Sequence, residues 1–271
     1  MIHRVVAFSA FAAAFVAADA RASFVVPNGV NYPWVRGTTA NSSYAGWESF
    51  TSRSGPNVPD AGTAFIGVTP AGAQGLNAVY SRNGTDVLAV GNTGLVYRSF
   101  NGGQTWSSRT LGNKNLRDVV ARNLTIWVAG DSGKVYSSVN SGGNWSLFVA
   151  AGAPDLRALA FPSDNIGYVV GALGTIYKTT DGGSSWTPQT SGTVNRLNAV
   201  RFRDDLNGYA AGVAGTLLKT IDGGATWTTL STGVSTDLRS VDFFGSTVWV
   251  VGNDGLALRS TDGGVTLDPL K

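Results

Sequence analysis

The side chains best placed for chemistry form two polar columns that recur about every forty residues. Asn77, Arg117, Arg157, Asn198 and Arg239 each follow a leucine at the head of an apolar run. Three guanidiniums brought to one place could hold a carboxylate or an acidic loop through bidentate hydrogen bonds. The competing reading is local pairing, because Asp155 and Asp237 stand two residues before Arg157 and Arg239. The second column is Arg98, Lys178, Lys219 and Arg259, with Ser137 in the remaining unit. It reads as a solvated edge whose aliphatic stems cover apolar surface.

Catalytic chemistry is hard to assemble from the remaining residues. The single histidine is His3, the single glutamate is Glu48, and there is no cysteine. That removes an imidazole base, a thiol nucleophile and a thiolate metal site from any domain beyond the first residues. Glycoside hydrolysis would need two carboxyl groups, one of them protonated near neutral pH. Asp164, Asp204 and Asp205 are available, but all three fall where a turn between strands is expected. Isolated carboxylates in separate turns do not build a calcium cage. The expectation is no catalytic residue, no metal and no cofactor.

A repeated phrase indicates the elements that would carry these columns. A Ser or Thr is followed by Asn or Asp two residues on, Gly two further and an aromatic three beyond that. The copies are Ser99-Asn101-Gly103-Trp106, Ser138-Asn140-Gly142-Trp145, Thr179-Asp181-Gly183-Trp186 and Thr220-Asp222-Gly224-Trp227. A fifth, Ser260-Asp262-Gly264, has Leu267 in place of the tryptophan. The aromatic position advances by 39, 41, 41 and 40 residues. Within each period four short apolar runs are separated by Gly, Asn and Asp, the signature of strands and turns. Four strands per forty residues match a propeller blade. The fold expected is an all-β propeller of about five four-stranded blades, spanning 76–115, 116–155, 156–196, 197–237 and 238–271. In each phrase the Asp or Asn accepts turn amides, the glycine takes a positive φ and the tryptophan packs back on its blade. The phrase is therefore read as structural.

The chain begins with a basic start at His3-Arg4, an apolar run from Val5 to Ala18 and Ala20-Arg21-Ala22, a small-x-small site. Residues 1–22 read as a signal peptide, which predicts an exported protein of the periplasm or extracellular space. Removing it changes the net charge of +3 by only one, too little to argue for nucleic acid or a membrane surface. No later apolar run is long enough to span a bilayer. Residues 23–75 form an extension. Within it, 45–55 resemble the run after each turn, and Trp47–Ser52 is expected to complete the last blade and close the ring, since that blade ends early at Lys271.

The phrase resembles the Asp-box, or BNR, repeat found in sialidases, other glycosidases and non-catalytic propellers. The longer context, Gly171 to Trp186, then Leu197 to Phe202 and Asn207 to Gly212, resembles the photosystem II stability/assembly factor-like family. That resemblance covers 76 to about 267. It implies an exported, non-enzymatic propeller that acts as a protein-binding or assembly scaffold. The partner expected is another protein, offering an acidic loop or C-terminus to Asn77, Arg117, Arg157, Asn198 and Arg239 on a chain that works as a monomer. The alternative is a carbohydrate-active propeller, sialidase-like or glycan-binding. A sialidase mechanism would need an Arg triad and a Glu-activated Tyr, with Glu48 as the one glutamate.

Overall fold

The computed structural model describes residues 75–270. They form five four-stranded antiparallel sheets, each an up-and-down meander, arranged as the blades of a β-propeller. Blade 1 comprises β1 (Leu76–Ser81), β2 (Val87–Gly91), β3 (Leu95–Ser99) and β4 (Ser107–Thr110). Blade 2 comprises β5 (Leu116–Arg122), β6 (Thr125–Gly130), β7 (Lys134–Ser138) and β8 (Ser146–Val149). Blade 3 comprises β9 (Leu156–Ala160), β10 (Gly167–Gly171), β11 (Ile176–Thr179) and β12 (Thr187–Gln189). Blade 4 comprises β13 (Leu197–Phe202), β14 (Gly208–Gly212), β15 (Leu217–Thr220) and β16 (Thr228–Leu230). Blade 5 comprises β17 (Leu238–Phe244), β18 (Thr247–Gly252), β19 (Ala257–Ser260) and a two-residue β20 (Asp268–Pro269).

Blades 2 to 4 have neighbours on both faces, so their central strands read as continuous hydrophobic runs. Val169 joins the core between blades 2 and 3, and the next residue, Val170, joins the core between blades 3 and 4. Four such cores join the five blades in sequence. The rear face of β1 differs. Its Leu76 and Val79 are 44% and 46% exposed, whereas the equivalent Leu116, Leu156, Leu197 and Leu238 are fully buried. Among the described residues no sheet covers that face of blade 1. Residues 45–55, expected to close the ring, lie outside the described residues, as do 1–22. The fourth-strand place in blade 5 is taken by β20, paired through Arg259 with Asp268 and Leu258 with Pro269.

One irregularity repeats in every blade and sets up the candidate site. The innermost strand carries a β-bulge at its second residue. The register skips Asn77, Arg117, Arg157, Asn198 and Arg239 while the flanking residues stay paired. A bulge leaves one residue out of the ladder and re-aims its side chain. The facing strand ends in Gly91, Gly130, Gly171, Gly212 or Gly252. A Cβ at Gly171 would collide with the Asp155 carbonyl oxygen, and the other four meet the same obstruction.

Candidate functional site

The five bulges deliver their side chains to one place. Asn77, Arg117, Arg157, Asn198 and Arg239, joined by Arg196, line a funnel of about 370 Å³ at one end of the innermost strands. The six residues do not play equal parts. Asn77 donates from Nδ2 to the Leu116 carbonyl at 2.7 Å, and Asn198 does the same to Leu238 at 2.7 Å. Both asparagines therefore tie their strand to the next blade, which commits their amides to backbone.

The arginines differ in the partner that the turn after the second strand supplies. Arg117 makes a bidentate pair with Asp131, Nε to Oδ1 at 2.8 Å and Nη2 to Oδ2 at 2.7 Å. Burial alone would raise the Asp131 carboxyl. The Arg117 hydrogen bonds and charge outweigh burial and hold it below the usual carboxylate range. The Asp131 hydrogen bond likewise raises Arg117. Arg239 meets a neutral partner, donating from Nε to Asn253 at 2.7 Å, and Arg196 donates to Asn198 at 3.0 Å. Among the described residues Arg157 has only Asp155 as an acidic partner, 3.8 Å away, and its buried Nε has no hydrogen-bond partner. Burial first, then the repulsion of Arg117 and Arg196, pushes the Arg157 guanidinium down from its ordinary value. Of the two local pairs the sequence offered, Asp155 approaches Arg157 at 3.8 Å, whereas Asp237 leaves Arg239 to Asn253. Those carboxylates accept the backbone amides of Ser132 and Ala214, at 3.0 Å each. The acid that grips a funnel arginine with two hydrogen bonds is Asp131.

The second column is not a solvated edge, apart from the exposed Arg259. Lys178 donates to the Gly223 carbonyl at 2.7 Å and Lys219 to Gly263 at 2.8 Å, each in the Asp-box turn of the following blade. Tyr168 and Tyr209 reach the same two oxygens at 2.9 Å, and Trp127 reaches Gly182 at 2.7 Å. Arg98 pairs bidentately with Asp86 at 2.9 and 2.8 Å and donates to the Ser141 carbonyl. Each of these donors crosses to a backbone carbonyl of the neighbouring blade, so the column clamps blade to blade.

The Asp-box turns share one internal wiring. The amides of Gly103, Gly142, Gly183, Gly224 and Gly264 each donate to the Ser or Thr hydroxyl four residues earlier at 2.8 Å. Asn101, Asn140, Asp181, Asp222 and Asp262 accept the amide four residues later at 2.8–3.0 Å. All five glycines have φ between 81° and 92°, which an L side chain would resist. Hydrogen bonds from Ser185 and Thr226 hold Asp181 and Asp222 down to about 2, and the Ser260 and Thr266 bonds hold Asp262 lower still. Leu267 takes the tryptophan position against the core between blades 4 and 5.

Two of the three carboxylates considered for hydrolysis are spent on structure, and the third, Asp205, is exposed. Asp164 bridges to Arg122 at 2.9 Å and Asn123 at 2.7 Å. At Asp204 burial is more than offset by the Asn207 side-chain amide at 2.8 Å and the Asn207 and Leu206 backbone amides at 2.8 and 2.9 Å, which hold it well below the usual range. Burial pushes one aspartate, Asp118, up, against the opposing pull of Arg201 and the Leu159 and Val119 amides. It accepts the Leu159 amide at 2.8 Å across the joint between blades 2 and 3 and is not part of the funnel lining. Among the described residues no cluster of acids or histidines could hold a metal ion.

Five repeated sheets, an Asp-box turn in each and a central funnel define a BNR-repeat β-propeller. Residues 192–271 match the family described as photosynthesis system II assembly factor YCF48, and the resemblance to photosystem II assembly factor-like propellers holds over that span. Similar solved structures include YCF48 bound to D1 peptide, 18% identical over 72% of this chain and 80% of that one, with a TM-score of 0.41. They include the GH74 xyloglucanase from Xanthomonas campestris, 17% identical over 69% of this chain and 36% of that one, TM-score 0.58. The computationally designed Ika8 protein is 16% identical over 71% of this chain and 60% of that one, TM-score 0.61. At these identities the latter two likenesses establish the propeller fold. No curated protein matches the sequence.

Proposed function

We propose that this chain is an exported, non-enzymatic propeller that holds a protein partner at its basic funnel, as an assembly or binding scaffold. The observation that carries the reading is the convergence of four arginines on one funnel in which, among the described residues, only Arg117 has a bidentate carboxylate partner. An incompletely neutralised guanidinium cluster suits a carboxylate from an acidic loop or chain terminus. The match of residues 192–271 to an assembly-factor family supports the same direction. Among the described residues no helix is long and apolar enough to cross a membrane. The carbohydrate-active alternative gains nothing from the site, because Asp164 and Asp204 are both held in structural hydrogen bonds.

The test compares the wild type with an Arg157→Glu, Arg239→Glu double variant in affinity capture from the native envelope fraction. The partner recovered by the wild type is expected to be lost from the variant while the thermal melt is retained. Undiminished capture by the folded variant overturns the funnel as the binding site. Hydrolysis of aryl glycosides that Asp204→Ala abolishes would overturn the non-enzymatic reading.

A further inference from the structure

The funnel is asymmetric in a way that describes the ligand it takes. Each blade has an equivalent position after its second strand, defined by the same backbone hydrogen bond to the residue preceding the innermost strand. Asp131 donates its amide to the Asn115 carbonyl at 2.9 Å, and Ala172 donates to the Asp155 carbonyl at 2.8 Å. Ala172 therefore occupies in blade 3 the place of the acid that neutralises Arg117 in blade 2. The next residue, Thr93, Ser132, Leu173, Ala214 or Asp254, sits at the tip of the turn with φ between 53° and 59°. Four of these tips are polar or small. The fifth is Leu173, held in the left-handed region that a bulky side chain resists, and 75% exposed. Strain of this kind persists where surrounding structure imposes it and gathers at binding sites.

A second exposed aliphatic stands beside it. A Cβ at Gly174 would overlap the Thr193 carbonyl oxygen, so the turn after β10 and the loop before β13 touch backbone to backbone. Leu173 precedes Gly174, and Val194, 80% exposed, follows Thr193. Two residues past Val194 is Arg196, which lines the funnel with Arg157. The sector between blades 3 and 4 thus combines two exposed aliphatics with an arginine whose buried Nε has no hydrogen-bond partner among the described residues.

Resting on the reading of the funnel as a partner site, we propose that its ligand is an extended peptide carrying an acidic residue next to a bulky apolar one. The carboxylate is taken by Arg157 and Arg196, and the apolar side chain lies on Leu173 and Val194. A ligand bearing charge alone would be served equally well by a polar tip such as Ser132. An exposed leucine in a strained conformation beside an under-paired guanidinium is accounted for by a ligand that has both groups.

The test uses the purified protein and fluorescein-labelled octapeptides in a Ser/Gly background, read by fluorescence anisotropy at low salt. One peptide carries adjacent Leu and Asp, in either order, one carries Ala and Asp, and one carries Leu and Asn. The Leu–Asp peptide is expected to bind about tenfold more tightly than either of the others. Leu173→Gly, which suits the positive φ, is expected to remove the Leu-dependent increment and keep the Asp-dependent one. Ala172→Asp is expected to do the reverse, by supplying the acid that blade 2 already has. Equal binding of the Leu–Asp and Ala–Asp peptides, or a Leu increment that survives Leu173→Gly, overturns the apolar contact and leaves the funnel reading intact. Failure of all three peptides to bind the wild type overturns the funnel reading as well.

Discussion

Blades 2 and 3 use the same backbone to opposite ends. Each presents an arginine from a bulge in its innermost strand, and each turns after its second strand at an equivalent point. In blade 2 that point is Asp131, which grips Arg117 with two hydrogen bonds of 2.8 and 2.7 Å, and the tip is Ser132. In blade 3 it is Ala172, which leaves Arg157 with an unpaired buried Nε, and the tip is the exposed Leu173. Of the equivalent positions Asn92, Asp131, Ala172, Val213 and Asn253, only Asp131 is acidic, so the blade that departs from the rest is blade 2. Blade 2 is the finished structural unit. Blade 3 leaves the Arg157 Nε without a hydrogen-bond partner among the described residues and Leu173 exposed.

The sharpest way to break this comparison is to remove each arginine alone. Arg117→Ala strands a partly buried Asp131 and is expected to destabilise the protein by about 1–3 kcal/mol, with little effect on peptide binding. Arg157→Ala is expected to do the reverse, leaving the melt within about 0.5 kcal/mol of wild type and weakening an acidic peptide about tenfold or more. Urea unfolding and anisotropy on both variants decide it, and equal effects on stability would erase the distinction. A transfer sharpens the comparison further. Converting blade 2 to the blade 3 pattern, with Asp131→Ala and Ser132→Leu, is expected to raise affinity for the Leu–Asp peptide severalfold, about 3-fold by the freeing of one exposed guanidinium. Titration that shows unchanged affinity in the folded variant would mean that blade position, not those two residues, sets the site.

The smallest effect separates the blades by pH. Blades 1 and 2 carry Asn101 and Asn140 in their Asp-box turns, and blades 3 to 5 carry Asp181, Asp222 and Asp262. The folded Asp181 and Asp222 lie near 2, below the ordinary 3.8, and Asp262 is also lowered. A depressed carboxyl contributes stability that is present above the unfolded value and is lost as pH falls toward the folded one. Acidification from about pH 4 to about pH 2 is therefore expected to loosen the turns of blades 3 to 5 first. Hydrogen-exchange protection factors at Gly183, Gly224 and Gly264 should drop relative to those at Gly103 and Gly142. A uniform loss across all five turns would contradict this.

Much of the architecture is legible in the chain itself, and the reason is locality. The hydroxyl, the carboxylate or amide, and the glycine of each turn bond within a few consecutive residues, so their spacing survives as a pattern. The funnel column is legible for a related reason, since the bulge falls at the same step of every repeat and aims equivalent residues inward. Arg196 escapes that pattern because it lies two residues before the step, in a loop of variable composition. The second basic column looks solvated in sequence because its acceptors are backbone carbonyls, which carry no residue signature. Lys178 and Lys219 find theirs 45 and 44 residues away.

The sequence by itself determined the repeat period, the five four-stranded units, the turn that staples each one and the column that faces the funnel. All of these come from hydrogen bonds and side-chain alternation inside a single forty-residue unit. Only the tertiary structure decided which arginine gains a bidentate carboxylate partner. Arg117 and Asp131 are 14 residues apart and meet because antiparallel pairing folds β6 back beside the bulge of β5. The same fold puts Ala172 opposite Arg157. Whether a charge is spent or available depends on what the facing strand brings to it, and that is a property of the packed sheet.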